Sequence, residues 1–142
     1  MRLRIIGACP EEIARMAGVE FLGRIDKDRD STRFVEAIRG VDLGCQLSRA
    51  ELFGIAMLEF LRLGVPVLAT DVGGIADVLE GGGAVIVPRN IEAEQLALEL
   101  EALLSDSARY QSLRQAAVAR SNWATWRRAA MEIGSALADC GL

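Results

Sequence analysis

The sequence predicts an α/β fold: a parallel sheet flanked by helices, followed by a helical C-terminal tail. Three observations carry that expectation. Five short runs rich in Ile, Val and Leu show little polar alternation, as strands covered on both faces do. Helix-period segments stand between them on short connections, which points to parallel strands joined by right-handed crossovers. From Ile91 onward the pattern is helical throughout. At 142 residues there is room for one compact domain and hardly for two, so residues 1–142 are expected to form a single domain.

The expected strands are Leu3 to Gly7, Val19 to Gly23, Asp42 to Leu47, Pro66 to Thr70 and Ala84 to Val87. Between them, Glu11 to Met16, Thr32 to Arg39, Gly54 to Leu63 and Gly74 to Leu79 read as helices or helical turns. In the tail, Glu92 to Leu104 repeats Leu96, Leu100, Leu103 and Leu104 along one face. Ser107 to Arg120 and Trp123 to Ala138 follow, with Ser105-Asp106 and Ser121-Asn122 as punctuation and expected caps.

Bulk composition excludes several classes. The net charge of −4, without a basic stripe, argues against a nucleic-acid binder. Charges from Arg24 to Arg33 alternate in sign and read as a solvated loop. There is no histidine, which removes Ser-His and Cys-His pairs and imidazole-based zinc sites. Cys9, Cys45 and Cys140 have neither metal-ligand spacing nor the pattern of a disulfide framework. Cys45, inside an apolar run, is expected to be a small buried hydrophobe. MRLRIIGACPEE has no apolar core of signal-peptide length, and no uncharged run is long enough to span a membrane. A cytoplasmic location is expected, with contact at the inner face of a membrane left open.

The most informative stretch runs from Ser48 to Gly74. Between Leu52 and Leu61 only Glu59 can ionise, and its neighbours Met57, Leu58, Phe60 and Leu61 are bulky and apolar. A carboxylate there must be solvated through a cleft or meet a hydrogen-bonding partner, because burying it unpaired is prohibitive. The hydroxyl pair of a ligand is one such partner. In parallel sheets ligands sit at the carboxyl ends of strands, and three such loops stand out: Gly23 to Asp26, Ser48 to Gly54, and Asp71 to Gly74. Gly54 opens a helix whose free N–H groups and positive dipole end suit a phosphate. Glu59 follows roughly 7 Å further along by helical rise. A nucleoside diphosphate attached to a sugar has a matching layout, with a diphosphate for the helix start and a diol for the carboxylate. Taken singly, each feature has a plainer explanation. Glu51 suits a helix N-terminus anyway, Glu59 has Arg62 three positions on, and Gly73-Gly74 makes a turn.

Ser48, Glu51, Phe53-Gly54, Leu58-Glu59, Gly64-Val65-Pro66-Val67, Ala69-Thr70-Asp71, Gly73-Gly74 and Asp77 together resemble one known pattern. It is that of the C-terminal, nucleotide-sugar-binding half of retaining glycosyltransferases with the GT-B fold, in the group-1 (family 4-like) set. Val19 to Gly23, the strand ending in VDLGCQLS and the tail LLSD…LR…A…W match the usual order as well. The resemblance implies a Rossmann-like domain and sugar transfer from a UDP-, GDP- or ADP-sugar with retention, without a metal or other cofactor at this site. It implies that Glu51 lies by the transferred sugar and that Glu59 holds the ribose diol. Ser48 and the main chain of Phe53, Gly54 and Ile55 would approach the sugar and diphosphate, and Arg24 and Ile25 would border the nucleobase.

Departures from the pattern are informative. Leu52 stands where the family usually has glycine, so a side chain is expected to narrow the pocket or change the turn. Lys27 sits in a different loop from the family's basic pair for the diphosphate, which belongs to a strand-helix unit before Leu3. Against the family, that first unit and the acceptor-binding domain are both missing. The chain would carry one wall of the cleft, and its uncovered sheet edge is expected to promote self-association. The acceptor, whether glycan, lipid or small molecule, would be met by the other domain. The alternative is a nucleotide- or nucleotide-sugar-binding or interaction module without catalysis. A receiver-like domain would need an acidic cluster after the first strand, where Gly7-Ala8-Cys9 stands. A sugar-nucleotide epimerase would need histidines.

Overall fold

The computed structural model describes residues 1–123 and 125–141. The chain divides into two compact units, Met1–Val41 and Asp42–Leu142. Both are built of parallel strands with helices between them, as the sequence predicts.

In the first unit, β1 (Leu3–Ile6) pairs in parallel with β2 (Val19–Gly23), with α1 (Glu11–Ala14) in the crossover and α2 (Ser31–Arg39) following. Arg4 and Glu20 are register partners, and Arg4 Nε donates to Glu20 Oε2 at 2.9 Å. Arg4 Nη1 also donates to the Ala37 carbonyl at 2.8 Å, so one arginine ties the ladder to the last turn of α2. The start of α2 is capped by Asp30, whose carboxylate accepts from the Arg33 N–H.

The second unit contains β3 (Gly44–Gln46), α3 (Ile55–Arg62), β4 (Val67–Thr70), α4 (Ile75–Leu79) and β5 (Ala84–Val87), then α5 (Ala93–Ser105), α6 (Ser107–Arg120) and α7 (Trp126–Asp139). Its sheet order is β3-β4-β5, all parallel, with Gln46 opposite Ala69 and Ala69 opposite Ile86. All four residues of the central strand β4 are buried, which is why Val67 to Thr70 lacks polar alternation. Met57, Leu61, Val67, Ala69, Val72, Ile75, Val78, Leu79 and Ala117 form the core, drawn from α3, β4, the turn after it, α4 and α6.

Among the described residues the strands pair as one two-stranded and one three-stranded ladder, both parallel. Two expectations need correction. The third strand shortens to Gly44–Gln46, because Asp42 and Leu47 lie outside its ladder with β4. Cys45 is exposed, not buried. Its neighbour Gly44 lies against the Phe60 ring of α3, and alternation along the strand turns Cys45 away from that helix. Nearby atoms still desolvate the sulfur and push the Cys45 thiol pKa up.

The tail helices differ in detail. Leu103 is fully buried and Leu96 and Leu100 are half-buried, but Leu104, about 100° further round the helix, is exposed. Asp106 caps α6, accepting from the Arg109 N–H at 2.9 Å. The last helix begins at Trp126 because the Thr125 hydroxyl accepts from the Arg128 N–H and sets the boundary there. Trp123 lies before it in a turn, with the guanidinium groups of Arg120 and Arg128 each 4.2 Å from its ring. Arg120 is buried, and its Nη2 donates to the Val78 carbonyl near the end of α4 at 2.9 Å. Desolvation first, and the nearby charge of Arg128 second, lower the Arg120 pKa from its ordinary value. Arg62 Nη1 donates to the Ser121 carbonyl at 2.6 Å and to Asn122 Oδ1 at 3.1 Å, joining α3 to the turn after α6.

Candidate functional site

The loop from Leu47 to Gly54 leaves the carboxyl end of β3, and the turn from Asp71 to Gly74 leaves the carboxyl end of β4. Adjacent parallel strands bring these ends side by side, which is where an open α/β sheet presents its ligand surface. Two hydrogen bonds hold the backbone of the longer loop, and a third holds the Glu51 side chain. The buried Thr70 hydroxyl donates to the Ser48 carbonyl at 2.5 Å. The Gly74 N–H donates to the Leu52 carbonyl at 3.1 Å. Gln46 Nε2, from the end of β3, donates to Glu51 Oε2 at 2.6 Å.

The two loops touch so closely that glycine is required between them. A Cβ on Gly73 would lie 2.0 Å from the Glu51 carbonyl oxygen, and the residue has φ +56°. Gly54 has φ +77°, and a Cβ there would run into the Met57 side chain. It starts α3 from a left-handed conformation, and no side chain caps the helix. Gly54 is itself buried, and Met57 fills the space that a side chain would take, so the unpaired amides of the first helical turn are approached from the side of the exposed Ile55.

Glu51 is half-buried. Its Oε1 accepts from the N–H of Leu52 at 3.0 Å while Oε2 receives Gln46. Glu59 is half-buried on α3 between Leu58 and Phe60, both packed against the core. Phe53 and Ile55 expose half or more of their surface beside the glycine. Leu52, at the position where glycine was the expected residue, is 90% exposed. No described residue other than glycine has a positive φ, so the turn accommodates leucine without left-handed backbone. Arg24 and Ile25 belong to the first unit, where Arg24 is exposed and Ile25 is buried.

Two polar groups of this region were not singled out from the sequence: Gln46, which grips Glu51, and Thr70, which anchors Ser48. A glutamine in an apolar run carries no spacing signal for a contact five residues away across a loop. Thr70 was visible as part of Ala69-Thr70-Asp71, but only the sheet register shows that its hydroxyl reaches the neighbouring loop. Among the described residues, no group of three or more Cys, Asp or Glu side chains is placed to hold a metal ion, and no helix is long and apolar enough to cross a membrane.

Glycosyl transferases group 1 is the family whose model matches, over residues 11–120. The match takes in both loops and α3, and the chain belongs to that family. A D-inositol 3-phosphate glycosyltransferase of Corynebacterium aurimucosum is 31% identical over 127 residues, covering 89% of this chain and 30% of the relative. One from Nocardia farcinica is 35% identical over 98 residues, covering 69% of this chain and 22% of the relative. The chain therefore spans about a third or less of the length of these relatives.

Among solved structures, sucrose-phosphate synthase from Thermosynechococcus elongatus superposes with a TM-score of 0.74 at 22% identity, over 98% of this chain and 38% of that one. Anabaena HepE in complex with UDP superposes with a TM-score of 0.74 at 19% identity, over 97% of this chain and 41% of that one. The fold is the parallel α/β arrangement of GT-B glycosyltransferases, as the sequence led one to expect.

Proposed function

We propose that this chain is the donor-binding domain of a glycosyltransferase, residues 1–142 forming the nucleotide-sugar side of a two-domain active site. The reaction would move a sugar from a nucleotide sugar to an acceptor with retention of configuration. The observation that carries this reading is the pairing of two strand-end loops across Gly73, which holds Glu51 beside the uncapped start of α3. A diphosphate meets backbone N–H groups and the positive end of the helix dipole at Gly54 and Ile55, a donor set that stabilises charge developing on a leaving group. Glu51 is assigned to the transferred sugar and Glu59 to the ribose diol. Ser48 and Phe53 complete the donor surface, and Arg24 and Ile25 are assigned to the nucleobase.

UDP is the first donor nucleotide to try, because Anabaena HepE was solved with UDP and with UDP and glucose. Turnover requires a second surface for the acceptor, whether glycan, lipid or small molecule. A cytoplasmic location and self-association through an uncovered strand edge belong to the same reading.

Calorimetric titration with UDP, GDP and ADP and their common sugar conjugates tests the proposal, alongside Glu51→Ala and Glu59→Ala. Saturable binding to one nucleotide is expected, about tenfold or more weaker in Glu59→Ala, the scale of a hydrogen bond to a charged group. Glu51→Ala is expected to weaken only the sugar conjugate. Unchanged affinity in both variants, with both folded, removes the site assignment. Absence of binding to any of the nucleotides removes the donor-domain reading itself.

A further inference from the structure

We propose that Gln46 is a positioning residue for Glu51, setting the direction in which that carboxylate meets the donor sugar. The inference rests on the donor-site reading and deepens it. Gln46 ends β3, opposite Ala69 of the fully buried strand β4. Its Nε2 donates to Glu51 Oε2 at 2.6 Å, a short bond of the kind a charged acceptor makes. The other carboxylate oxygen accepts from the Leu52 N–H, so both ends of the group are held at once.

The amide can face the carboxylate in only one sense, because turning it over would set two oxygen acceptors against each other. That orientation leaves Gln46 Oε1 buried, with no hydrogen-bond partner among the described residues. A buried, unmatched carbonyl lowers stability, and an apolar side chain at this strand position would not carry that cost. Nor is Gln46 needed to hold the loop backbone. The bonds from Thr70 to the Ser48 carbonyl and from Gly74 to the Leu52 carbonyl already do so. What Gln46 adds is confined to the Glu51 side chain, its rotamer and its hydrogen bonding. A group held on both oxygens before the ligand arrives loses less freedom when it binds.

Gln46→Met tests this, since it keeps the length of the side chain and removes the donor. Three readouts apply: thermal midpoint, exchange of the Leu52 amide by NMR, and affinity for UDP-glucose relative to UDP. The expected result is an unchanged or higher midpoint, Leu52 exchange at least several-fold faster, and a roughly tenfold loss of affinity for UDP-glucose with UDP affinity preserved. A lowered midpoint in both Gln46→Met and Gln46→Leu would identify a structural residue and overturn the proposal. So would an unchanged preference for UDP-glucose over UDP. If wild-type protein binds neither probe, the donor reading fails for uridine donors. The exchange measurement then still decides for Gln46: faster exchange supports its hold on Glu51, and unchanged exchange overturns it.

Discussion

Gly73→Ala is the sharpest single perturbation that this geometry offers. The new Cβ would lie 2.0 Å from the Glu51 carbonyl oxygen, 3.0 Å from the Glu51 carbonyl carbon and 3.1 Å from the Leu52 carbonyl oxygen. Ordinary contact begins at 3.4 Å, so the Glu51-Leu52 backbone must retreat by about 1.4 Å, the difference between 3.4 and 2.0 Å. No flexible side-chain tip can absorb that movement, because all three opposing atoms are main chain. Alanine at φ +56° adds its own penalty, roughly 1–2 kcal/mol for a left-handed residue. With the lost Gly74–Leu52 hydrogen bond, worth about 1 kcal/mol, the total is about 2–3 kcal/mol. In a chain of this size that lowers the midpoint by roughly 6–15 °C.

The functional effect should exceed the effect on stability. A displacement of about 1 Å at a positioning element costs up to about a hundredfold in a well-aligned site. The assay is thermal unfolding by circular dichroism, paired with calorimetric titration of UDP-glucose below the variant's midpoint. A folded Gly73→Ala protein with wild-type affinity would mean that Glu51 can move without consequence, against the role assigned to it. A wild-type midpoint would refute the contact geometry itself.

Three further outcomes are expected. Thr70→Val removes the 2.5 Å bond to the Ser48 carbonyl while keeping shape, and should cost about 1–2 kcal/mol in denaturant unfolding. Preserved stability would show that the loop does not rely on that anchor. Desolvation raises the Cys45 thiol pKa, so less of it is thiolate at pH 8 than of an ordinary thiol. Iodoacetamide should therefore label Cys45 more slowly in the folded chain than in the urea-unfolded chain, with the gap narrowing as pH rises, as peptide mass mapping would show. Trp123→Ala removes the ring between two guanidinium groups and should destabilise the chain by about 2 kcal/mol. A thermal midpoint within a degree of wild type would mean that the sandwich is incidental.

Features that depend on neighbours along the chain were legible before any fold was known. Val67 to Thr70 reads as a strand covered on both faces because four apolar or small residues in a row leave no solvent side. Alternation of such runs with helical segments was enough for the parallel α/β class. Gly54 and Gly73-Gly74 were legible because turns demand backbone that other residues rarely adopt, and Glu51 and Glu59 stand out by charge in apolar company. The motif that these residues form, not any one of them, carried the resemblance, and the chain belongs to the family whose model matches residues 11–120.

Features that depend on which atoms meet across the chain emerged only with the fold. Cys45 looked buried because its neighbours in sequence are apolar, yet strand alternation and the placement of Phe60 turn it outward. Leu52 stands where glycine was expected, and only the structure shows that its side chain is almost fully exposed. The split into two ladders, the closeness of Gly73 to Glu51, and the hold of Gln46 on that carboxylate all follow from register and loop packing. Local pattern reports which face of an element a residue favours. Contacts between loops are set by where the strands end, and that emerges only once the sheet is assembled.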